Sequence, residues 1–292
     1  MNEKKPSVSI GLPVFNGERY LKEAIESMLS QTFTDLELII SDNASEDATQ
    51  EICTFYAEKD PRVRYYRNEI NVGAAKNYNR VFELSSGRYF KWAAHDDLCA
   101  PEYIEKCVAV LDDQPSVVIC HTNTIYIDAN GDEYDSFDDR LDLRSPRPYE
   151  RYHKYFVRPY KRCNAVFGLM RTDVLKNTAL IGAYHGSDQV LLGELALSGI
   201  IYRIPEPLFY RRDHPEQIYR KNRSRRTMEA WFDPKRRHKI TFPQWRLLFE
   251  HCKSIFRTPM NWKEKALCLK SLGYWVRQND GKLIRNLFLM EK

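Results

Sequence analysis

The chain has 292 residues, 43% of them hydrophobic and 29% charged, with a net charge of +5. That profile belongs to a globular protein with one substantial core and room for an appendage, and it excludes wholesale disorder. The seven cysteines are odd in number and form no CxxC pair, which excludes a disulfide framework and a zinc cluster and points to a reducing cytosol. No stretch reaches the roughly 18 apolar residues of a membrane span, and no signal-type apolar region follows the N-terminus. The expectation is a cytoplasmic protein, neither secreted nor integral to a membrane.

Residues 7–13 read as a buried strand closed by Pro13, with a turn at Asn16-Gly17. From Glu18 to Ser30 the apolar positions 21, 24, 25, 28 and 29 have helical spacing, and Leu36 to Ser41 is a continuous apolar strand ending at Asp42. The three make a βαβ unit with parallel strands covered on both faces. A helix over 49–59, a strand over 63–67, a helix over 73–84 and a strand over 88–94 follow, and this last strand runs into His95-Asp96-Asp97. Pro101 suits the first turn of a helix reaching about 112, and 117–127 is a further strand. Residues 128–150, polar and acid-rich, read as a long loop over the site. Beyond residue 160 the pattern predicts a strand over 165–171, a helix over 188–198 opened by Gly186-Ser-Asp-Gln, and a closing strand over 200–204.

Asp96 and Asp97 are adjacent acids at the carboxyl end of a strand, where open α/β sheets bind ligands. Two neighbouring carboxylates repel unless a cation joins them, and all-oxygen ligation suits Mg2+ or Mn2+, which commonly arrive with phosphates. A helix N-cap ahead of Pro101-Glu102 is the plainer use of the same pair. The first βα turn, Pro13-Val-Phe-Asn-Gly-Glu-Arg, lacks the G-x-G-x-x-G of dinucleotide folds, and no P-loop pattern occurs anywhere. Asp42, at the crevice edge, has the acceptor atoms to read a uracil N3 hydrogen or ribose hydroxyls, while Ser45 or Asp47 serves as a helix cap.

Four segments together carry a resemblance: Pro13-Val-Phe-Asn-Gly-Glu, Ser41-Asp-Asn-Ala-Ser-Glu-Asp, Asn71-Val-Gly-Ala-Ala-Lys-Asn, and His95-Asp-Asp with Pro101 beyond. In order and spacing they resemble the family-2 glycosyltransferases, over about residues 7 to 215. The resemblance implies a GT-A-like (Rossmann-like) α/β fold: an open, mostly parallel sheet flanked by helices, here with a C-terminal basic helical extension. The chain accordingly divides into an expected catalytic domain over 1–219 and a basic, aromatic-rich helical extension over 220–292, the latter read from its own composition. The resemblance also implies an inverting enzyme that binds a nucleotide-sugar donor, with a UDP-linked one expected, and Mn2+ or Mg2+ on the diphosphate. Hexosyl or N-acetylhexosaminyl transfer would go to a glycan or lipid-linked acceptor.

Residue by residue, the resemblance puts Pro13, Val14, Asn16 and Glu18 around the base, with Asp42 as its polar reader. Asn71, Gly73 and Lys76 fall in the donor-binding third motif, where Lys76 stands in place of a common Arg. Asp96 would contact ribose or metal, and Asp97 would ligate the metal. Asp188 matches the position of the general base, although an Asp at a helix N-terminus is also stabilising by itself. His214, in Arg211-Arg-Asp-His, would complete the metal shell, and the two arginines suit phosphate. A different class of function, a catalytically inactive nucleotide- or glycan-binding module of a polysaccharide-assembly complex, is compatible with the same motifs. A nucleotidyltransferase would need a Gly-rich basic first loop that residues 13–19 do not supply.

From Arg211 onward 21 Lys and Arg face 8 Asp and Glu, a net of +13, which leaves −8 for residues 1–210. No RNA- or DNA-binding motif accompanies these basic runs, so nucleic acid is not the expected partner. Basic clusters interleaved with Trp231, Trp245, Trp262 and Trp275 predict peripheral attachment at the inner face of an anionic membrane. A helical cap or a homo-oligomer contact are the other uses of such a tail.

Overall fold

The computed structural model describes residues 5–138, 140–158, 162–217, 224–236 and 241–288. Among the described residues a nine-stranded sheet has the order β3-β2-β1-β4-β8-β6-β9-β5, where β5 is the short edge strand Leu98–Cys99, with β7 paired to β6. The first four strands in that order are parallel: β1 (Val8–Val14), β2 (Leu36–Asp42), β3 (Val63–Arg67) and β4 (Tyr89–Trp92). Every residue of β1 and β2 is buried, as expected of strands covered on both faces. Beyond β4 the directions mix. β8 (Leu169–Arg171) is antiparallel to both β4 and β6 (Val117–Ile127), whereas β9 (Ile200–Arg212) runs parallel to β6. Parallel character is therefore confined to the N-terminal half and the β6–β9 pair.

Alternate residues of each strand feed two cores. On one face Leu36, Leu38 and Ile40 meet α1 (Leu21–Leu29), α2 (Thr49–Lys59) and α4 (Tyr103–Asp113). Helix α1 turns Leu21, Ala24, Ile25 and Met28 inward, the i, i+3, i+4, i+7 stripe read from its sequence. On the other face Ile39, Phe90 and Trp92 pack with α3 (Ala74–Glu83), α5 (Pro148–Val157) and α7 (Ser187–Ser198). Here α6 (Thr172–Leu175) is a single turn.

Three C-terminal helices, α8 (Arg225–Phe232), α9 (Pro243–Arg257) and α10 (Trp262–Leu287), join this second core. Leu247, Ile255, Leu272, Trp275 and Leu283 are buried against α5 and α7 residues such as Phe156 and Leu191. Of the four tail tryptophans only Trp262 is exposed; Trp275 is buried, and Trp231 and Trp245 pack on the core. The basic residues at 220–223 and 237–239 lie outside the described residues.

Three local expectations change. Residues 128–150 are not one loop: β7 (Glu133–Phe137) pairs with the end of β6, and α5 begins at Pro148. The strand expected over 165–171 is a 3-10 turn over Asn164–Phe167 followed by the short β8, which begins at Leu169 opposite Cys120. The closing strand is longer than 200–204, since β9 continues along β6 to Arg212 and delivers the next residues to the cleft.

Candidate active site

The carboxyl ends of β1, β2 and β4 open onto a cleft of about 630 Å³. One wall is the loop after β1. Val14 lies opposite Asp42 in the ladder, and the Asn43 N–H donates to the Val14 carbonyl at 2.8 Å. The loop is pinned to the start of α2: the Asn16 and Gly17 N–H groups donate to Ser45 Oγ and Thr49 Oγ1, each at 2.9 Å. Glu18 belongs to this clamp as well, its carboxylate accepting the Ala48 N–H at 3.0 Å.

Asparagines form the floor. Asn43 Nδ2 donates to Asn71 Oδ1 at 2.9 Å, and Asn43 Oδ1 accepts from Asn68 Nδ2 and the Val72 N–H. Asn77 bridges Asn68 to the Ser41 carbonyl. Because these amides are already paired, the floor is held before any ligand arrives.

The two acids of the pair have different partners. His214 Nε2 is 3.0 Å from Asp96 Oδ2, and both residues line the cleft. Asp97 is buried, and its Oδ1 accepts the Arg212 N–H at 3.0 Å. The Arg212 side chain, also buried, donates to the Asp96 carbonyl (3.1 Å) and to Glu23 on α1 (2.6 Å) and lies over the Tyr20 ring. Burial works against an ionised Asp96, but the imidazoles of His95 and His214 hold its pKa below the ordinary value. Burial, and then the charge of Asp96, push Asp97 up to about 7 despite the Arg212 N–H and the nearby cations.

On the far wall, Gly186 takes a left-handed φ of +85° and turns the chain into α7, so that Ser187 and Asp188 reach the cleft. Asp188 Oδ1 accepts the Gln189 N–H at 2.9 Å. Helix α7 is anchored behind by Tyr155 Oη donating to the Gln189 carbonyl (2.7 Å) and by an ion pair between buried Glu194 and Arg257 of α9 (2.6 Å). Helix α8 completes the wall with Thr227, Ala230, Trp231 and Phe232. It lies so close to the start of α3 that a Cβ on Gly73, φ +87°, would stand 2.5 Å from the Phe232 carbonyl oxygen.

The cleft thus gathers Pro13, Val14, Asn16, Asn71, Asp96, Asp97, Asp188 and His214. Four other candidates lie elsewhere. Both oxygens of fully buried Asp42 are taken, Oδ1 by the Ser45 N–H and Oδ2 by Tyr65 and Arg67, so Asn43 faces the cleft in its place. Glu18 caps α2, Gly73 seats α8, and Lys76 is exposed outside the lining. Among the described residues the Lys and Arg lining the cleft are Arg19 and Arg211, the latter held by Asn164 Oδ1. Trp231 and Ser187 escaped sequence reasoning. Trp231 lies in a tail whose pattern signals only an amphipathic helix, and Ser187 reads as an ordinary helix start.

Among the described residues no three His, Cys, Asp or Glu side chains gather into a closed metal cage. The donors do fit an ion that brings its own partners. Asp96 offers a hard oxygen and His214 a nitrogen, and Mg2+ or Mn2+ customarily keeps waters and phosphate oxygens for its remaining positions. Three further polar atoms on this cleft, Tyr20 Oη, Ser187 Oγ and His214 Nδ1, are buried without a partner among the described residues.

The sequence model described as "Glycosyl transferase family 2" matches residues 9–178. An uncharacterized glycosyltransferase of Rickettsia typhi is 37% identical over 122 residues, 41% of this chain and 37% of the relative. Another, from Methanocaldococcus jannaschii, is 29% identical over 160 residues, 53% of each chain. The match therefore spans about a third to a half of these curated relatives. Among solved structures, Staphylococcus aureus TarS 1-349 in complex with UDP-GlcNAc is similar with a TM-score of 0.69 at 15% identity, over 94% of this chain and 72% of that one. A mannosyltransferase of Pyrobaculum calidifontis in complex with GDP-Man and Mn2+ gives 0.58 at 15%, over 98% and 74%. At such identities the likeness is one of fold, and that fold is GT-A-like.

Proposed function

The chain belongs to glycosyl transferase family 2, and from that premise we propose that it transfers a single hexosyl or N-acetylhexosaminyl unit, with inversion, from a nucleotide-sugar to a glycan or lipid-linked acceptor. The observation that carries this reading is one cleft with Asp96 and His214 on one wall and Asp188 on the other, over a floor of paired asparagines. The ligands of the structural neighbours, UDP-GlcNAc in one and GDP-Man with Mn2+ in the other, support a nucleotide-sugar donor, and the first favours a UDP-linked one.

The base and ribose would rest against the β1 loop and the asparagine floor, with Asn43 doing the polar reading first expected of Asp42. Asp96 and His214 would hold Mn2+ or Mg2+. When bound, such an ion offsets the negative charge that grows on the diphosphate as the sugar–phosphate bond breaks. Arg211 and Arg19 add cationic donors on the same wall. Asp97 keeps the Asp96 backbone in place through Arg212 and is not itself the ligand. Asp188 accepts the proton of the acceptor hydroxyl as its oxygen bonds the anomeric carbon and the bond to the diphosphate breaks, the electron pair leaving with the phosphate.

The test is an assay of the intact chain against a panel of nucleotide-sugars with Mn2+, read as release of nucleoside diphosphate. Turnover with one donor supports the proposal. Tight UDP binding without turnover for any donor and acceptor pair would point to the non-catalytic module.

A further inference from the structure

Helices α9 and α10 form an antiparallel hairpin, joined by Trp245 Nε1 donating to the Leu283 carbonyl at 3.2 Å and the Gln244 N–H to Asn286 Oδ1 at 3.2 Å. Its inner face is buried in the second core. The outer face is unusual in two respects.

First, it is apolar. Phe242, Phe249 and Phe256 recur at seven-residue spacing along α9 and are all exposed. On α10, Trp262 and Leu269 are likewise seven apart, and Ile284, Leu287 and Phe288 follow at i, i+3 and i+4. Trp262 is 74% exposed and Phe288 71%. The two stripes meet where the Phe256 and Trp262 rings lie 6.3 Å apart, with the Lys265 ammonium over both.

Second, it is cationic, with two of its three acids turned away and only Asp280 on the Trp262 face. Residues 242–288 hold nine Lys and Arg against Glu250, Glu264 and Asp280. Glu250 is buried beneath Arg246 and Lys253, and Glu264 faces α5, paired with Arg147. Only Asp280 is an exposed acid, whereas Lys263, Lys270, Arg277 and Arg285 are exposed along one flank of the Trp262–Leu269–Ile284–Leu287 stripe.

We propose that this outer face docks on an anionic lipid surface. An apolar stripe with aromatic rings, flanked by cations, is the pattern of a segment lying in the plane of the headgroups: rings and aliphatic chains enter the acyl boundary while Lys and Arg meet phosphates. A second copy would set the same positive charge against itself. Nucleic acid would satisfy the cations but leave Ile284 and Leu287 in water. No helix among the described residues is long and apolar enough to cross a membrane, so the contact is peripheral. It rests on none of the donor, metal or base assignments, so it can stand or fall apart from them.

The intact chain is co-sedimented with vesicles of phosphatidylcholine alone and of phosphatidylcholine with phosphatidylglycerol, at low and high salt. Capture by the anionic vesicles is expected, weakening with salt but leaving a resistant fraction. Lys263→Glu with Lys270→Glu and Arg277→Glu should lower low-salt capture by at least about tenfold. Trp262→Ser with Ile284→Ser and Leu287→Ser should remove the salt-resistant fraction. Vesicle addition should shift the tryptophan emission to the blue, and Trp262→Phe should abolish the shift. All these positions are exposed, so unchanged melting temperatures certify the fold. Equal capture by both vesicle types, no capture, or capture indifferent to both triple variants overturns the proposal. So does a dimer or an RNA complex that the same substitutions break while vesicles are ignored.

Discussion

His214 Nε2 lies 3.0 Å from Asp96 Oδ2, although 118 residues separate them in the chain. β9 makes the meeting: it runs beside β6 to Arg212, whose backbone N–H binds Asp97 and whose guanidinium binds the Asp96 carbonyl. The pair therefore depends on a buried cation that lies outside the cleft lining.

Exchange of either partner in the pair should separate ion binding from folding. Asp96→Asn and His214→Gln are expected to weaken Mn2+-dependent UDP binding by about 10- to 100-fold with little change in melting temperature, measured by titration calorimetry with and without Mn2+. Asp97→Ala should instead lower the melting temperature, because it leaves the buried Arg212 N–H without its acceptor, at a cost of about 1–3 kcal/mol. Loss of ion binding in Asp97→Ala with unchanged stability would restore Asp97 as the ligand.

Asp188→Asn keeps the size of the side chain and removes its basicity. UDP affinity should stay within about twofold, while kcat falls by about 10²–10⁴. Near-normal turnover would reassign the base.

The acid pair predicts a pH signature in the absence of divalent ions. Folding raises the pKa of Asp97 from 3.8 to about 7, so the folded chain retains a proton that the unfolded chain releases. The stability this group contributes is whole below pH 3.8 and is lost as pH rises to about 7. The stability of Asp97→Asn relative to the parent should accordingly rise across that window and level off above it. Chemical denaturation of both proteins at stepped pH with a chelator present checks this, and a flat difference would refute it.

The tail is part of the core as well as a surface. Trp275, 5% exposed between α5 and α9, should cost about 3–5 kcal/mol on replacement by Ala. Trp262, 74% exposed, should cost less than about 0.5 kcal/mol. Comparable losses at the two positions in denaturant titrations would contradict this division.

Local pattern determined much on its own. The βαβ succession, the inward stripe of α1, the spans of α2 and α4, and the strand-end position of Asp96 were legible because apolar periodicity and strand-end position are properties of contiguous residues, whereas Pro13, Asn71, Asp188 and His214 were placed by the family resemblance. Which way each side chain turns was not legible. Asp42 and Asn43 are neighbours, yet the Tyr65 and Arg67 side chains, brought alongside by β3, join the Ser45 N–H in holding the first inward and leave the second at the cleft. Asp96 and Asp97 both line the cleft, but they meet different partners, His214 for the first and the backbone of an arginine more than a hundred residues away for the second. Nor could composition distinguish Trp275 from Trp262 or foresee Trp231 in the cleft wall. Strand pairing and helix packing decided these roles, because a partner distant in sequence fixes the direction of a polar or aromatic side chain and leaves no mark on the residues beside it.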